Sequence, residues 1–580
     1  MRASGSSASS RILTEAASVD GAVDLSGHRL LRQRLGQELW LVAAGSFALS
    51  LISLVYCYTH GLLLLYGDAV AHLHIARRIF DSQTPGFRQL GSVWLPLSHL
   101  MLVPFVQKMS WWQSGLAGAW PSMACYVLAC VALYWLARCW MPPLASVLAL
   151  AFFALNPGLL YFATTAMTEP LFLAEMLWSA LLLVLFARAV AESALPHAGR
   201  LLSALSLVLV AAVFTRYDGW IYAAAVWCVA TAIILRRRNL RERLTGTWVL
   251  FTVVAAVAPL IWIAYNAKQF HDPLDFIRGP YSARAIEART GAPGAPHYPG
   301  YHNMGVATLY FVKAAELGAV TPYAANALLL LAVAGTCAAQ WTRNRIGLAA
   351  TMLLWIPLPF YAYSVAYGSV PIFIPVWWPF SWYNTRYGME LLPAFALFCA
   401  FLIDRLMRWQ RRLHSFLPAI VTVLVLVNTT LLLHAGPLVY GEAVANSATR
   451  IPFEKALART LEGLPAHASI LMYTSNHIGA VQQAGIPLRH IVNEVDYYRW
   501  QAALKHPAQA ADFVVAIDGD AVAQAVSMHP ADLQLLDVVC GRGQGCARVY
   551  RSHGSGAGLD NSGFDAGNPD ASQAEEHGNR

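Results

Sequence analysis

The stretch LYGDAVAHLHIARRIFDSQTPGFRQLGSVWLPL, residues 65–97, follows the first long apolar run of the chain. It carries too many charged side chains to cross a bilayer, and we expect it to form an amphipathic loop on one membrane face. Asp68 stands where the first span ends. A carboxylate held at a lipid–water boundary is costly, which makes Asp68 a functional candidate. An ordinary helix cap is the alternative, because Gly67 and Asp68 precede a helical pattern.

The composition indicates a polytopic membrane protein. Of the 580 residues, 57% are hydrophobic and 12% are charged, and the mean hydropathy is +0.47. An average soluble domain has roughly twice that charged fraction, about 25%. The net charge of +8 comes largely from short basic clusters beside apolar runs. Such clusters orient membrane spans, so we expect no nucleic-acid partner.

We divide the chain into four parts on the basis of these patterns. They are a disordered cytoplasmic leader at 1–36, a mainly α-helical transmembrane bundle at 37–440, a small extracytoplasmic α/β domain at 441–553 and a disordered tail at 554–580.

The membrane side of the loops follows from the basic clusters. Arg32 and Arg34 precede the first span and place its start in the cytoplasm. Three early apolar stretches lie near 93–107, 117–137 and 143–160. If one of them does not cross, the later basic clusters all fall on the cytoplasmic side, which favours about eleven crossings. Outer loops are then expected at 66–95, 268–304 and 367–387.

The part after residue 441 has the pattern of a small soluble domain. Helical periodicity at 452–463 precedes three strand candidates, at 470–473, 513–517 and 547–550. Cys540 and Cys546 flank a Gly-rich turn, across which they can form a disulfide outside the cytoplasm. The nine cysteines show no CxxC spacing of the kind that binds metal.

Two sets of polar side chains fall on different faces of a predicted helix over 68–81. One face carries four of them, which contact either lipid headgroups or a phosphate; they are His74, Arg77, Arg78 and Asp81. Asp68 and His72 share another face, as half of a metal site or as an acid–base pair, and a structural histidine is the alternative. Two ligands do not make a metal site, so we assign no metal ligand, although a divalent-cation requirement stays open.

Three further groups lie far along the chain. Glu169 is either a second site carboxylate or a helix-dipole residue beside the capping Thr168. Arg216 and Asp218 break two apolar half-runs, and they either pair with each other or join the site. Arg386, followed by Tyr387, stands at the mouth of an apolar span, where it needs an anionic partner such as a phosphate.

The order of these motifs resembles the GT-C superfamily of membrane glycosyltransferases. It comprises an outer loop opening at Asp68, a Trp-x-Pro-Leu return at 94–97, an Asn-Pro to Thr-Glu-Pro segment at 156–170 and a late Arg-Tyr pair at 386–387. The resemblance covers roughly residues 38–405 and is strongest to the bacterial branch near protein O-mannosyltransferases and aminoarabinose transferases. Residues 67–69 differ from the Asp-Glu motif of the protein O-mannosyltransferases. Residues 92–96 lack the lysine that the aminoarabinose transferases have at this place.

The resemblance implies an inverting transfer of a hexosyl or pentosyl unit from a polyprenyl-phosphate donor. The acceptor is a protein, lipid or glycan on the outer face of a bacterial inner membrane. Asp68 is then the base and Glu169 the second acid. Arg386 holds the donor phosphate with help from Arg77 or Arg78.

Two other functions fit the same residues. A transporter or lipid flippase would use Asp68 and Arg386 to bind cargo, but such folds often show internal repeats and charges in mid-span, and neither is evident here. A non-catalytic scaffold would use the outer domain to bind a partner.

Overall fold

The computed structural model describes residues 8–553 apart from positions 237, 291–295, 341–344, 411 and 497. The expected disordered tail at 554–580 therefore lies outside the described residues. The chain forms two compact units. The first contains the chain up to Ile79 together with Leu90–Ala448, and the second contains Phe80–Gln89 together with the chain from Thr449 onward.

The first unit is a bundle of α-helices. They are α1 Ala8–Thr59, α2 Gly67–Arg78, α3 Pro96–Val106, α4 Met109–Ser114, α5 Leu116–Arg138, α6 Pro143–Ala154, α7 Pro157–Phe162, α8 Glu169–Ala191, α9 Leu195–Thr215, α10 Asp218–Leu235, α11 Arg238–Phe270, α12 Asp275–Arg278, α13 Ala283–Thr290, α14 Met304–Ala319, α15 Ala325–Ala339, α16 Arg345–Met352, α17 Pro357–Tyr367, α18 Leu392–Trp409, α19 Leu413–Ala435 and α20 Leu438–Ser447. Short 3-10 helices lie at Phe87–Leu90, in the second unit, and at Leu353–Trp355 and Thr385–Leu391.

The length and composition of these helices agree with a multi-pass membrane protein. Within the described residues, eight helical segments are long and apolar enough to cross a bilayer: Gln33–Thr59, Leu116–Arg138, Glu169–Ala191, Leu195–Thr215, Asp218–Leu235, Glu242–Phe270, Gly347–Tyr367 and Ser415–Ser447. Three shorter apolar helices, α3, α6 and α15, accompany them. Helix α3 has 11 residues and is too short to span, since a crossing needs about 20 residues. The count of eleven crossings stays a prediction.

The N-terminal part differs from the sequence-based expectation. Helix α1 begins at Ala8 and so includes most of the 1–36 leader that was expected to lack order. A physical reason is that leucine, arginine and glutamine at residues 30–35 all favour helix, and no proline lies between Ala8 and the first span.

The second unit is a small α/β domain, as the composition predicted. Its described elements are α21 Arg450–Glu462, β1 Ile470–Met472, α22 Ile478–Ala484, a 3-10 turn at Leu488–His490, β2 Ile491–Val492, α23 Tyr498–Lys505, α24 Pro507–Ala510, β3 Phe513–Ile517, α25 Ala521–Met528, β4 Leu533–Cys540 and β5 Cys546–Ser552. The sheet order is β2-β1-β3-β5-β4. Strands β2, β1 and β3 run parallel, and β5 is antiparallel to β3 and β4. The disulfide between Cys540 and Cys546 joins the paired ends of β4 and β5.

Two glycines allow close approaches that shape the bundle. A Cβ on Gly219 would lie 2.2 Å from the Ala212 carbonyl oxygen, so only glycine lets α10 begin directly beside the end of α9. A Cβ on Gly388 would lie 2.5 Å from the Ala315 backbone nitrogen. The Thr385–Leu391 turn therefore packs against α14 with no side chain between the two backbones.

Candidate active site

Three acids of the predicted site each stand in the first turn of a helix of the first unit. Asp68 is the second residue of α2, Glu169 the first of α8 and Asp218 the first of α10. The unpaired N–H groups at a helix N-terminus carry partial positive charge, which stabilises a carboxylate there. The helix starts thus explain why acids are tolerated at these ends of apolar segments.

Arg386 links two of these acids. It lies in the Thr385–Leu391 turn, where its Nη2 is 2.6 Å from Asp68 Oδ2 and its Nε is 3.4 Å from Glu169 Oε1. Its Nη1 is 3.2 Å from Glu442 Oε1 on α20. Burial disfavours the charged guanidinium, but Asp68, Tyr387 and Glu442 more than offset it, so the pKa of Arg386 lies well above its usual range.

Glu442 in turn fixes the segment that carries Arg386. Its carboxylate accepts hydrogen bonds from the Asn384 backbone N–H at 2.9 Å and from the Thr385 hydroxyl at 2.6 Å. Both donors directly precede Arg386, so the acid orients the turn as well as the guanidinium. Glu442 is 1% exposed, and a buried charge needs such partners.

Arg216 forms a second hub. It lies between α9 and α10, and its Nε is 3.1 Å from Asp218 Oδ2. Its Nη2 is 3.1 Å from Glu390 Oε1 and 2.6 Å from the Tyr361 hydroxyl. Arg216 and Asp218 therefore do pair with each other, and the pair also belongs to a larger cluster.

The two arginine hubs meet at Glu169 and Tyr387. Glu169 Oε1 is 3.5 Å from Arg216 Nη1 and 3.4 Å from Arg386 Nε. The Cζ atoms of Arg216 and Arg386 lie 5.2 Å and 5.1 Å from the centre of the Tyr387 ring, within cation–π distance. The predicted site residues Asp68, Glu169, Arg216, Asp218, Arg386 and Tyr387 therefore form one continuous cluster.

No side-chain cap hydrogen bond forms at the start of α2 or α8, whereas the helix-dipole interpretation of Glu169 agrees with its place in the first turn of α8. The residue before α2 is Tyr66 and makes no side-chain cap, and the carboxylate of Asp68 contacts Arg386 instead. Thr168 precedes α8 but makes no cap hydrogen bond. Its hydroxyl accepts from Arg216 Nη1 at 2.9 Å, so Thr168 belongs to the arginine cluster.

Exposure separates Asp68 from the rest of the cluster. The side chain of Asp68 is 36% exposed, whereas Arg386 is 12% and Glu169 1% exposed. Glu390 and Asp218 are buried as well. The Asp68 carboxylate is therefore the accessible acid of the cluster, while the other acids lie buried behind it.

His72 is engaged by another histidine. Its Nδ1 lies 2.8 Å from His99 Nε2, and its ring centre is 4.7 Å from that of Trp94. Burial lowers the pKa of His72 to about 4, which outweighs the opposing effect of Asp68. A neutral, hydrogen-bonded ring fits the structural interpretation of this residue better than a metal half-site.

The arginines on the other face of α2 have partners within the protein. Arg77 is buried, donates to the Val106 carbonyl at 2.7 Å and lies 4.8 Å from the centre of the Trp112 ring. Arg78 lies beside Gly91. The burial of Arg77 is a packing explanation for its charge and does not agree with exposure to lipid headgroups. A role for either residue in phosphate binding stays a prediction.

Three residues of the cluster were missed from the sequence. Glu390 and Tyr361 lie inside apolar runs, and Glu442 lies at the expected start of the soluble domain. An acid inside an apolar segment is a functional signal by default, so Glu390 could have been found by that rule. Nothing local marks Tyr361 or Glu442. Among the described residues, no group of three or more His, Cys, Asp or Glu side chains is arranged to hold a metal ion.

Comparison with known proteins shows similarity at the level of structure. No family model and no curated protein sequence matches the chain. ArnT from Cupriavidus metallidurans, in a crystal structure bound to undecaprenyl phosphate, superposes with a TM-score of 0.55 at 15% identity, covering 88% of this chain and 98% of ArnT. ArnT in the apo state gives a TM-score of 0.50 at 16% identity, over 89% and 100% of the two chains.

A third similar structure is the Archaeoglobus fulgidus oligosaccharyltransferase in complex with Zn and sulfate. It has a TM-score of 0.44 at 12% identity, over 82% of this chain and 68% of that chain. The ArnT matches extend over nearly the whole of both chains. The chain therefore shares the fold of ArnT, and the predicted mainly helical bundle with a small C-terminal α/β domain is confirmed.

Proposed function

We propose that the chain is a membrane glycosyltransferase that moves a sugar from a polyprenyl-phosphate carrier to a hydroxyl acceptor. The observation that carries the proposal is the 2.6 Å contact between Asp68 and Arg386 at the accessible edge of the cluster. It sets a candidate base beside a guanidinium suited to a phosphate. The shared fold with ArnT, one of whose structures contains undecaprenyl phosphate, supports the donor class.

The donor phosphate binds at Arg386 in this scheme. A guanidinium forks onto two oxygens of a carboxylate or a phosphate with the same geometry. Asp68 occupies one arm of that fork at present, through Nη2. An arriving phosphate exchanges with the Asp68 oxygen, which leaves the carboxylate free of its ion pair and next to the reacting sugar.

Asp68 then acts as the base. It takes the proton of the acceptor hydroxyl, and the hydroxyl oxygen bonds to the anomeric carbon as the bond from that carbon to the phosphate oxygen breaks. The proton ends on Asp68, and the electron pair ends on the polyprenyl phosphate, whose charge Arg386 stabilises. Attack from the face opposite the leaving group inverts the anomeric centre.

Glu169 and Arg216 position the catalytic pair from behind. Glu169 contacts both guanidiniums and so holds their spacing, and Asp218 and Tyr387 restrain them further. Preorganised charge of this kind lowers the barrier because little reorganisation is needed as the phosphate departs. Glu169 is therefore a positioning residue here, and no proton transfer is assigned to it.

The proposed location of the site is the extracytoplasmic face of a bacterial inner membrane. Basic clusters lie before the first span and between later spans, and such clusters favour the cytoplasm. The site residues stand at the other ends of these spans, which are then extracytoplasmic. The Cys540–Cys546 disulfide supports an oxidising compartment for the C-terminal domain.

A transfer assay tests the function. Purified protein is incubated with a labelled-sugar polyprenyl phosphate and a cell-envelope extract as the acceptor source, and label is followed from the donor into the acceptor and into water. Wild-type protein should transfer label, and Asp68→Asn should lose at least about 100-fold in rate, the usual scale for a general base. Asp404→Asn, at the Asp404–Arg408 ion pair of α18, is the control. Binding of the donor with no release of sugar by wild-type protein would favour a flippase or transporter.

A further inference from the structure

Tyr361 stands between two carboxyl groups that compete for its single proton. Its hydroxyl oxygen is 2.7 Å from Asp218 Oδ2 and 2.7 Å from Glu390 Oε1. The same oxygen lies 2.6 Å from Arg216 Nη2, which has only protons to give. A phenol donates one hydrogen bond and accepts up to two. It can therefore satisfy one carboxylate, and the other short contact needs a proton from the carboxyl group itself.

We infer that Glu390 carries this proton and is a neutral carboxylic acid in the resting protein. The Glu390 O–H then donates to the Tyr361 oxygen, Arg216 Nη2 donates to the same oxygen, and Tyr361 donates to Asp218. Every short contact then joins one donor to one acceptor. With both carboxyl groups ionised, an oxygen of one would face the phenol oxygen at 2.7 Å with no hydrogen between them.

The surroundings of the two acids decide which of them holds the proton. Asp218 accepts from the Gly219 backbone N–H at 2.9 Å and from Arg216 Nε, and it stands at the start of α10. These donors and the helix N-terminus favour its ionised form. Glu390 is 0% exposed, and its Oε2 has no hydrogen-bond partner among the described residues.

The electrostatics of the pocket agree with this assignment. Burial and then the neighbouring Asp218 carboxylate raise the pKa of Glu390 well above its ordinary value, against the opposing charge of Arg216 and the hydrogen bond from Tyr361. The charged and titratable groups that face it are Arg216 from the α9–α10 connection, Asp218 from α10 and Tyr361 from α17. Glu169 of α8 contacts Arg216, which in turn contacts Glu390.

A neutral Glu390 has a consequence for substrate binding that rests on the proposed function. Arg216 faces Asp218, Glu169 and Glu390, and each ionised carboxyl there opposes an incoming phosphate. Ionising Glu390 adds one negative charge next to Arg216, behind the phosphate site at Arg386, and should weaken donor binding by about tenfold, the scale of one added charge in a partly buried site. Glu390 is thus a positioning residue that keeps the site less negative.

Infrared spectroscopy of the full-length protein in lipid tests the charge state without any substrate. A protonated carboxyl group has a carbonyl band, separate from those of carboxylates and amides, that shifts in heavy water. The wild-type protein should show a component of this band that Glu390→Gln removes. Glutamine retains the shape and can still donate to Tyr361. Glu175→Gln, at another buried acid of α8, should leave this component in place.

Two further variants make the result decisive. Tyr361→Phe removes the hydrogen-bond partner, so the Glu390 component should shift in frequency but persist. Asp218→Asn frees the Tyr361 proton for Glu390 and removes a neighbouring negative charge, so it should weaken the component. Loss of the component in Asp218→Asn with retention in Glu390→Gln would place the proton on Asp218 and overturn the inference, as would its absence from wild-type protein.

The pH dependence of donor binding adds a readout that structural damage alone would not change. In wild-type protein the KM for the donor should rise about tenfold at alkaline pH as Glu390 ionises, with kcat less affected. The rise should be absent in Glu390→Gln. An unchanged alkaline rise in Glu390→Gln contradicts the proposed role. A chain with no transferase activity would refute the proposed function and still leave the infrared result valid.

Discussion

Arg386 Nη2 lies 2.6 Å from Asp68 Oδ2, although the two residues are 318 positions apart in the chain. This contact joins the start of α2 to the turn before α18 and closes one edge of the acidic cluster. Because Asp68 is the exposed partner and Arg386 the buried one, the pair combines an accessible carboxylate with a fixed cation. Substitutions at Arg386 and Asp68 should therefore have different effects on donor binding and turnover.

Replacing Arg386 with lysine should impair donor binding more than folding. Lysine keeps a positive charge among Asp68, Glu169 and Glu442, but it cannot fork onto two oxygens. We expect the KM for the donor to rise at least about tenfold, the loss of one charge-assisted hydrogen bond. Steady-state kinetics of purified Arg386→Lys measures this.

Arg386→Ala is a less informative change at this position. It leaves buried carboxylates unpaired and should destabilise the protein by about 3–5 kcal/mol. A normal donor KM in Arg386→Lys would show that the phosphate binds elsewhere, and Arg77 and Arg78 would be the next residues to test.

Replacing Glu169 with glutamine should reduce turnover without removing donor binding. Its Oε1 contacts Arg216 and Arg386 at 3.5 Å and 3.4 Å, so the neutral amide loosens the spacing of the two guanidiniums. We expect kcat to fall about tenfold or more, as for the loss of a preorganised electrostatic contact. Glu316→Gln, at the Lys313–Glu316 ion pair of α14, controls for the loss of a buried acid. Equal rates in the two variants would remove Glu169 from the site.

Glu454 should make the stability of the C-terminal domain depend on pH. Burial raises the pKa of this carboxyl group to about 7, against the opposing ion pair with Arg450 at 2.8 Å. A folded pKa above the ordinary value of 4.5 means that the folded domain binds the proton more tightly. The free energy of unfolding is therefore highest below pH 4.5 and falls as the pH rises to 7, by about 3 kcal/mol.

Glu454→Gln removes this titration. Thermal unfolding of the full chain is monitored by proteolytic cleavage within residues 449–553. Between pH 4.5 and 7 the unfolding midpoint temperature should decrease less for the variant than for wild-type protein. An identical pH dependence in both proteins would show that Glu454 is not the titrating group.

Asp81 and Arg489 should respond unequally to substitution. They form an ion pair in the second unit, between the Phe80–Gln89 segment and the turn before β2. Asp81 is 3% exposed and also accepts from the Arg489 backbone N–H, whereas the Arg489 side chain is 62% exposed. Asp81→Asn should therefore lower the stability of the domain by about 1–3 kcal/mol, and Arg489→Gln by at most about 1 kcal/mol.

Limited proteolysis with increasing denaturant measures both changes. A larger effect from Arg489→Gln than from Asp81→Asn would contradict the assignment of the buried aspartate as the partner that matters.

The fold was predictable where the pattern was strong. Long apolar runs predicted the bundle, and the strand candidates at 470–473, 513–517 and 547–550 correspond to β1, β3 and β5. Strand β4 was missed because most of its residues are exposed and lack a clear alternation, and β2 has only 2 residues. Helix α1 extends further toward the N-terminus than expected because no proline separates the span from the residues before it.

The site was predictable in its residue types and less so in its contacts. Asp68, Glu169 and Arg386 stand at helix starts or turns beside apolar spans, where charge is conspicuous. The pairing of Arg216 with Asp218 was expected, but its extension to Glu390 and Tyr361 was not, because residues 145 positions apart meet only in the folded bundle. Glu442 was assigned to the outer domain, yet it orients Arg386 from α20. Such contacts depend on packing between helices, which a single sequence does not encode locally.

The most direct test of the base assignment measures donor binding and turnover together in Asp68→Asn. Binding of a polyprenyl-phosphate sugar is followed by native mass spectrometry, and release of the sugar to acceptor is followed in the same sample. The account predicts that the donor binds at least as tightly as to wild-type protein, because Arg386 is no longer neutralised by Asp68, while turnover falls at least about 100-fold. Turnover equal to wild type, with the donor bound, would contradict it.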